Sequence, residues 1–433
     1  MRVPGPPASP ARRWRVLAWA LWDSGDTGLN ATVVTFVFSV YLTDTVGAGL
    51  PDATTPASWL GRALTAAAVV VAVLAPIIGV WVEAPRRRRC TLAVLTGLAV
   101  LLTAAMSLIR ADPHYLWIGL VLLACTAACS ELATVPYNAM LPLLSTPQTV
   151  GRISGFGWAA GYVGSVALLL VVYFGFISGD GSHRGRFAIP ADDGQNVSAA
   201  MLVTAVWVLL FGLPVLLTIP TTPTATGTSL NTGVRGAYRR LWSDIVGEWR
   251  RDRHVIYFLL ASAVFRDGLA GVFAFGAVLG VTVYGLSAAN VLMFGIAASV
   301  VAAFGAVGGG LLDDRVGSKP VIVGSLASMI VAGLALLALS GQAAFWVCGL
   351  VLSLFVGPAQ ASARTMLARM TRGGREGVAF GLYTMTGRAV SFLSPLLFFT
   401  FIDLFGTERA GMGGLIVVLA AGLVAMLVLR DPT

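Results

Sequence analysis

Apolar stretches of about 20 residues, the length that crosses the ~30 Å hydrocarbon layer of a membrane, recur along the whole of this chain. With 57% hydrophobic and 11% charged residues, a water-soluble fold would lack the polar surface needed to cover itself. The sequence therefore predicts an all-α polytopic membrane protein in the lipid bilayer, with twelve transmembrane helices and no soluble domain of useful size. We also expect a monomer.

The distribution of basic residues predicts the orientation, because positive side chains in short loops stay on the cytoplasmic side. In the twelve-helix arrangement, 21 of the 29 Lys and Arg residues lie on one side, five lie on the other and three lie within spans. We therefore expect a multi-pass protein of the cell membrane with both termini in the cytoplasm. The net charge of +9 follows from this topology, and no nucleic-acid partner is expected.

A glycine-flanked turn, Gly310-Leu-Leu-Asp-Asp-Arg-Val-Gly-Ser-Lys319, joins two long apolar runs, and a weaker copy begins 231 positions earlier at Gly79. The first glycine allows close helix approach, and Gly317 supplies a turn that a side chain would obstruct. We predict that Asp314 and Arg315 hold an inner gate and that the copy is the weaker of two gates. The gating residues predicted in the two loops are Gly79, Glu83, Gly310, Asp314, Arg315 and Gly317.

The second half of the chain echoes the first. Span 7 has Phe265-Arg266-Asp267-Gly268 where span 1 has Trp22-Asp23-Ser24-Gly25. We match the two acids of these segments, Asp23 with Asp267, at an offset of 244 positions. Six spans repeated once are the plan of a rocker-type secondary carrier, and we expect two pseudo-symmetric six-helix bundles. The predicted parts are a cytoplasmic tail (residues 1–13), an N-terminal bundle (14–219), a cytoplasmic linker (220–252) and a C-terminal bundle (253–433).

The linker carries apolar residues at helical spacing with arginines between them. This pattern predicts an amphipathic helix on the inner membrane surface, and a partner-binding helix is the alternative. The apolar positions are Tyr238, Leu241, Trp242, Ile245, Val246 and Trp249.

Ionisable residues within the spans are the main candidates for function, because such groups usually mark ion or substrate paths. Four acids (Asp23, Asp26, Glu131, Asp267) and three arginines (Arg266, Arg364, Arg388) give the spans a net charge of −1 if all are ionised, so one acid is expected to titrate. We predict that this acid is Asp26 or Glu131 and that Asp23 pairs with Arg266. The alternative is a structural ion-pair network that locks the halves together. The full candidate set for a substrate or ion cavity is Trp22, Asp23, Asp26, Asn30, Glu131, Asn138, Arg266, Asp267, Gln360, Arg364 and Arg388.

Enzymatic and metal-binding functions find no support in the sequence. The four cysteines do not cluster with the three histidines, so neither disulfides nor a zinc site are implied. A zinc-protease helix, a nucleophile elbow and a phosphate loop are also missing. We therefore predict no enzyme and no cofactor, and a carrier is favoured over a non-transporting sensor or scaffold, because a scaffold has no need for two gating loops and buried acids.

The residues described so far resemble the major facilitator superfamily, whose loop pattern Gly-x-x-x-Asp-Arg-x-Gly-x-Lys is met by Gly310 to Lys319. Within it, the chain resembles the UMF1 group, which includes the fungal vacuole effluxers of the Atg22 type. The resemblance implies a secondary active transporter that moves a small solute, amino acids or another small metabolite, outward by rocker-switch alternating access with spans 1, 4, 7 and 10 lining the cavity. Proton coupling and facilitated transport both stay open. The stretches that carry the resemblance include Trp19-Ala-Leu-Trp-Asp23, Tyr137-Asn-Ala-Met-Leu-Pro142, Gly151-Arg-Ile-Ser-Gly-Phe-Gly-Trp-Ala-Ala-Gly-Tyr162 and Gly387-Arg-Ala-Val-Ser-Phe-Leu-Ser-Pro395.

The predicted topology can be tested with cysteines introduced at Ser182 and Ser229, which lie in loops on opposite sides of the membrane in this arrangement. An impermeant thiol reagent added outside intact cells should label a Ser182→Cys variant, and it should label a Ser229→Cys variant only after the cells are opened. Labelling of both positions from the same side would contradict the topology.

Overall fold

The computed structural model describes residues 10–48, 55–179, 181–218, 239 and 253–429. Twelve of its helices are long and apolar enough to cross a membrane, which confirms the predicted all-α, twelve-span fold. The helices, numbered by span, are α1 (Pro10–Leu29), α2 (Pro56–Trp81), α3 (Pro85–Ala105), α4 (Leu116–Ala139), α5 (Val150–Val172), α6 (Gln195–Thr218), α7 (Arg253–Thr282), α8 (Ala288–Val316), α9 (Ser318–Ala338), α10 (Gln342–Met370), α11a (Glu376–Val390), α11b (Leu393–Phe405) and α12 (Ala410–Val428).

The helix of span 1 begins earlier than the sequence predicts. It starts at Pro10, so residues 10–13 of the predicted tail are helical. The side chain of Arg12 donates to the carbonyl oxygen of Leu144 at 3.3 Å. The predicted amphipathic helix of the linker lies outside the described residues, apart from position 239.

Among the described residues, irregular backbone occurs in spans 1, 5 and 11, and in span 5 it is a π-helical turn at Tyr173–Ile177. Span 1 continues beyond α1 through π-helical turns at Asn30–Phe36 and Tyr41–Val46. Helix α4 runs through Pro136 without ending, although proline removes a backbone donor and often breaks a helix. Span 11 is divided into α11a and α11b by a short turn. A small antiparallel hairpin, His183–Arg184 with Ile189–Pro190, lies between α5 and α6.

The two halves pack in the same way, but the residue match predicted between them is off by one position. Helix α1 packs on α6 through Gly25, which approaches Phe211, and α7 packs on α12 through Gly268, which approaches Leu419. Because these glycines are 243 positions apart, Asp23 corresponds to Arg266 and not to Asp267.

The halves meet through glycines near one end of the bundles, where α2 packs on α11a and α5 packs on α8. A Cβ added at Gly79 would lie 2.5 Å from the carbonyl oxygen of Gly377, and one at Gly310 would lie 2.5 Å from that of Gly151. Only glycine permits this approach. We call this end the arginine-rich face, because the run Arg86 to Arg89 lies there.

The glycine contacts close the arginine-rich face of the structure. At the opposite end of α2, residues of this helix line a shallow surface depression of about 520 Å³. The lining residues of the depression are Ser58, Gly61, Arg62, Thr65, Ala66 and Val69.

Candidate functional site

Arg364 of α10 extends from the second half into the first, and only 4% of its surface is exposed. Its Nη1 lies 3.6 Å from Oδ2 of Asp23 and donates to Oδ1 of Asn138 at 3.2 Å. Its Nε and Nη2 donate to the hydroxyl oxygen of Ser154 at 2.9 Å and to its carbonyl oxygen at 2.6 Å. The first half therefore supplies every one of these partners of a buried cation, which makes Arg364 a lock between the halves.

Aromatic rings complete the surroundings of this guanidinium. Its Cζ lies 4.8 Å from the ring of Trp19, 5.8 Å from Tyr137 and 5.6 Å from Trp158, and such cation–π contacts stabilise a desolvated charge. The hydroxyl of Tyr137 also donates to Asp23 at 3.1 Å. The rings of Trp19 and Tyr137 stack with their centroids 4.5 Å apart.

The predicted pair of Asp23 and Arg266 does not form. Arg364 takes the place next to Asp23, whereas Arg266 donates to the carbonyl oxygen of Tyr383 at 3.0 Å and stacks on the Tyr383 ring at 3.7 Å. The predicted pairing of these two residues was therefore wrong. Asp23 contacts α10 through Arg364, and Arg266 contacts α11a through Tyr383.

Trp22 was predicted to line the cavity, but it belongs to the core of the first half. It is 2% exposed, its indole N–H donates to Oγ1 of Thr96 in α3 at 3.0 Å, and its ring stacks on Tyr137 at 4.3 Å. Adjacent residues on an α-helix point about 100° apart. Trp22 and Asp23 therefore cannot face the same side of α1.

A second ion pair joins the halves at the level of the mid-span residues. Oε2 of Glu131 in α4 accepts a hydrogen bond from Nη2 of Arg388 in α11a at 2.6 Å, and the two side chains are 25% and 38% exposed. This exposure shows that the pair borders an accessible space, unlike the buried pair of Arg364 and Asp23.

Asp26 has a different environment from the other acids within the spans. Its Oδ1 accepts a hydrogen bond from the hydroxyl of Ser130 at 2.5 Å, and Asn30 donates to the same hydroxyl oxygen at 2.8 Å and to the Asp26 carbonyl oxygen at 3.0 Å. Among the described residues, no arginine or lysine forms an ion pair with Asp26 within 4.0 Å. The hydrogen-bond partner of its carboxyl group is therefore the Ser130 hydroxyl, which Asn30 holds in place.

Two further predicted residues lie apart from these pairs. Oδ2 of Asp267 accepts a hydrogen bond from the backbone N–H of Ser394 at 2.6 Å, at the start of α11b. Gln360 contacts the hydroxyl of Tyr162 in α5, so it also lies between the halves. Groups of three or more His, Cys, Asp and Glu side chains that could hold a metal ion do not occur in the described part of the chain.

At the arginine-rich face, Asp314 caps a helix of the opposite half. Its carboxylate accepts hydrogen bonds from the backbone N–H groups of Gly151 at 2.8 Å and Arg152 at 3.1 Å, which are free donors in the first turn of α5. Arg315, which was predicted to hold the gate together with Asp314, is exposed, because successive residues of α8 point in different directions. The arginine beside Asp314 is Arg369, which lies 3.5 Å from Asp314 and 2.5 Å from Asp313. Gly317 makes the predicted turn with a φ of 92°.

The first copy of the loop makes the equivalent contact with opposite charges. Arg88 is 2% exposed and forms a 2.7 Å ion pair with Glu376 in the first turn of α11a. It also donates to the carbonyl oxygens of Val82 at 2.8 Å and Ala139 at 3.0 Å, and at 3.3 Å to that of Glu83. Here the first half supplies the cation and the second half supplies the acid.

The ion pair of Arg88 was not predicted from the sequence. The spacing does distinguish Arg88 from the other three arginines of the loop, because it follows Gly79 by nine positions, as Lys319 follows Gly310. Lys319 itself donates to the carbonyl oxygen of Leu429 beyond the end of α12 at 2.5 Å. Ser130 and Ser154 were also missed, since a lone serine in an apolar span is usually a small packing residue.

Solved structures with this arrangement are transporters of the major facilitator superfamily. The proton:xylose symporter XylE matches with a TM-score of 0.71 and 14% identity over 96% of this chain and 94% of that chain. FucP in the outward conformation matches with a TM-score of 0.70 and 15% identity over 96% and 99%. A bacterial homologue of the iron transporter ferroportin, outward-facing, matches with a TM-score of 0.69 and 15% identity over 97% and 98%.

Residues 147–431 match the family described as "Vacuole effluxer Atg22 like", and the chain belongs to this family within the superfamily. A relative with 22% identity over 427 residues is the "Uncharacterized MFS-type transporter YxiO" of Bacillus subtilis (strain 168), with 96% of this chain and 95% of that protein aligned. The chain is thus a membrane transporter and not an enzyme.

The cap on α5 predicts that Asp314 stabilises the closed arginine-rich face and that Arg315 does not. In a background without the four native cysteines, a cysteine replacing Val378, which is buried against Val80, reports opening of this face. Asp314→Ala, which removes the acceptor, should speed maleimide labelling of that cysteine roughly fivefold, the effect of a typical lost N-cap interaction. The control Arg315→Gln should leave the rate unchanged. A loss of folded protein in Asp314→Ala, with no change in labelling, would make the loop purely structural.

The buried ion pair predicts that Arg88 differs from its neighbour Arg86, which is exposed. Removal of one partner of a buried pair costs about 3–5 kcal/mol, since the other charge stays desolvated. Arg88→Gln should therefore lower the unfolding temperature of the purified protein markedly, whereas Arg86→Gln should leave it within error of the parent. Equal unfolding temperatures for the two variants would show that the pair with Glu376 does not stabilise this state.

Proposed function

We propose that this protein exports a small carboxylate-bearing solute, with amino acids as the first candidates, by alternating access coupled to protons. The observation that carries the proposal is the accessible ion pair of Glu131 and Arg388 between the halves, together with Asp26 and its lack of a cationic partner among the described residues.

The contacts at the arginine-rich face support alternating access. Two contacts join one half to the other at this face: Asp314 caps the N-terminus of α5, and Arg88 pairs with Glu376. Opening of the face must break both contacts. Charged contacts of this kind can form in one state and dissolve in another, because water solvates the separated groups. Two structural neighbours were determined in outward states, and the closed arginine-rich face agrees with an outward-facing state, since this face is proposed to be cytoplasmic.

The charges near Glu131 support a carboxylate-bearing substrate. Arg388 pairs with Glu131 directly, and Arg266 lies close enough to act on Glu131 electrostatically. A guanidinium binds a carboxylate through two parallel hydrogen bonds, so a substrate carboxylate can replace Glu131 on Arg388. The released Glu131 and the nearby Asp26 then face an ammonium group, which is the charge pattern of a zwitterionic amino acid. The family description names an effluxer, and export is the direction proposed here.

The count of charges supports Asp26 as the proton site. Asp23 pairs with Arg364 and Glu131 pairs with Arg388, while Asp267 accepts the N–H of Ser394 at a helix start. If Asp26 alone carries a proton, the three remaining acids balance the three arginines within the spans. A desolvated carboxyl group without a cation favours its neutral form, and two structural neighbours are named as proton symporters.

Reconstitution into liposomes tests the proposal, with a panel of radiolabelled amino acids supplied under a pH gradient. We expect gradient-driven accumulation by the parent protein, none by Asp26→Asn, and continued exchange of substrate without a gradient by Asp26→Asn. The matched control is Asp44→Asn, an exposed acid in the same span, which should keep full accumulation. Glu131→Gln should alter KM, because it frees Arg388.

Two results would contradict the proposal. Full pH-driven accumulation by both Asp26→Asn and Glu131→Gln would show that neither acid couples protons. Accumulation driven by a sodium gradient, with no response to pH, would replace the proton by another ion.

A further inference from the structure

Span 11 is broken close to the residue that forms the accessible ion pair. Helix α11a ends at Val390, two residues beyond Arg388, and α11b begins at Leu393. Pro395 follows in the first turn of α11b, where the missing N–H of proline is tolerated. The carbonyl oxygen of Arg388 accepts hydrogen bonds from the N–H and the hydroxyl of Ser391 at 3.4 and 2.9 Å. The backbone of Arg388 is therefore part of the turn.

Two consecutive residues of α7 hold the two sides of this break. Asp267, only 7% exposed, accepts the N–H of Ser394 at 2.6 Å on the α11b side. Arg266 donates to the carbonyl oxygen of Tyr383 at 3.0 Å on the α11a side, and a Cβ added at Gly387 would lie 3.1 Å from its Nη1. Arg388 lies between these two points of attachment.

The first half lacks this arrangement. The residue equivalent to Asp267 is Ser24, whose hydroxyl donates to the carbonyl oxygen of Ala160 at 2.7 Å in a helix, α5, that is continuous from Val150 to Val172. A broken helix held by a carboxylate is thus a feature of the second half only, and the repeated fold does not require it. The break begins two residues after Arg388, which is the residue of the second half that forms the accessible ion pair.

We infer that Asp267 is a positioning residue that acts through Arg388. By capping α11b, it fixes the break in span 11, and the fixed break directs the Arg388 side chain towards Glu131 across the space between the halves. An N-cap acceptor satisfies a free donor and stabilises the first turn of a helix, so loss of the cap lets the turn that contains the Arg388 carbonyl move. The inference rests on the proposed function, in which Arg388 exchanges Glu131 for the substrate.

Hydrogen exchange tests the cap without any substrate. In purified protein, backbone N–H groups of residues 391–397 should exchange roughly fivefold faster in Asp267→Ala than in the parent, the effect of a typical lost N-cap. Asp267→Asn should exchange at the parent rate, because its amide oxygen also accepts the Ser394 N–H. The control Ser262→Ala removes a buried hydroxyl of the same helix, bonded only within α7, and should leave these rates unchanged. Equal exchange in Asp267→Ala and the parent would overturn the inference.

A double-mutant cycle tests whether Asp267 acts through Arg388. Asp267→Ala should raise KM for exchange roughly fivefold in the parent but have little further effect in Arg388→Gln, and Asp267→Asn should restore the parent KM. Equal effects in both backgrounds, or a folded Asp267→Asn that fails to restore KM, would overturn the inference.

The same cycle measured on the unfolding temperature separates this inference from the proposed function. If the parent protein transports none of the amino acids in the panel, the proposed function is wrong. The cycle still tests whether Asp267 acts through Arg388. A smaller loss of stability from Asp267→Ala in Arg388→Gln than in the parent supports coupling between the two residues, and equal losses refute it. If Asp267→Ala does not fold, Asp267→Asn replaces it in the cycle, where parent-like stability in both backgrounds supports the cap and a loss independent of Arg388 refutes it.

Discussion

The closed arrangement of the two halves depends on the buried guanidinium of Arg364. A cation taken out of water in the middle of a span is costly unless other groups replace its solvation. Ser154, Asn138 and Asp23 supply hydrogen bonds and a counter-charge, and three aromatic rings surround the remaining surface. All of these groups belong to the opposite half, so the halves cannot separate at this level without exposing Arg364 and Asp23 together.

The two contacts at the arginine-rich face share a location but not a chemistry. Asp314 satisfies free backbone donors at the start of α5, whereas Arg88 bonds to carbonyl oxygens at the ends of α2 and α4 as well as to Glu376. A cap on a half-exposed helix start costs little to release. Release of Arg88 from Glu376 alone would leave two desolvated charges. The expectation that the first loop forms the weaker gate stays a prediction, which the labelling and unfolding measurements test.

The halves are related by a repeat, yet their charged residues have diverged at equivalent positions. Asp23 and Ser24 of the first half correspond to Arg266 and Asp267 of the second, and only the second half has a broken helix beside them. Asp26 has no cationic partner among the described residues, and Glu131 of the first half pairs with Arg388 of the second. In the proposed function, this asymmetry gives the substrate site an acid on one side and a guanidinium on the other.

The sequence by itself determined the twelve spans, the two halves, the transporter family and the set of buried charges, because each depends on local composition or on spacing along the chain. The length of an apolar run is a property of that run, and the glycines of the two loops are visible as a repeat. Only the tertiary structure decided which acid meets which arginine. Asp23 pairs with Arg364 and not with Arg266, and Arg88 is buried while Arg86 is exposed, because a side chain's partners depend on the phase of its helix and on neighbouring helices that are distant in sequence.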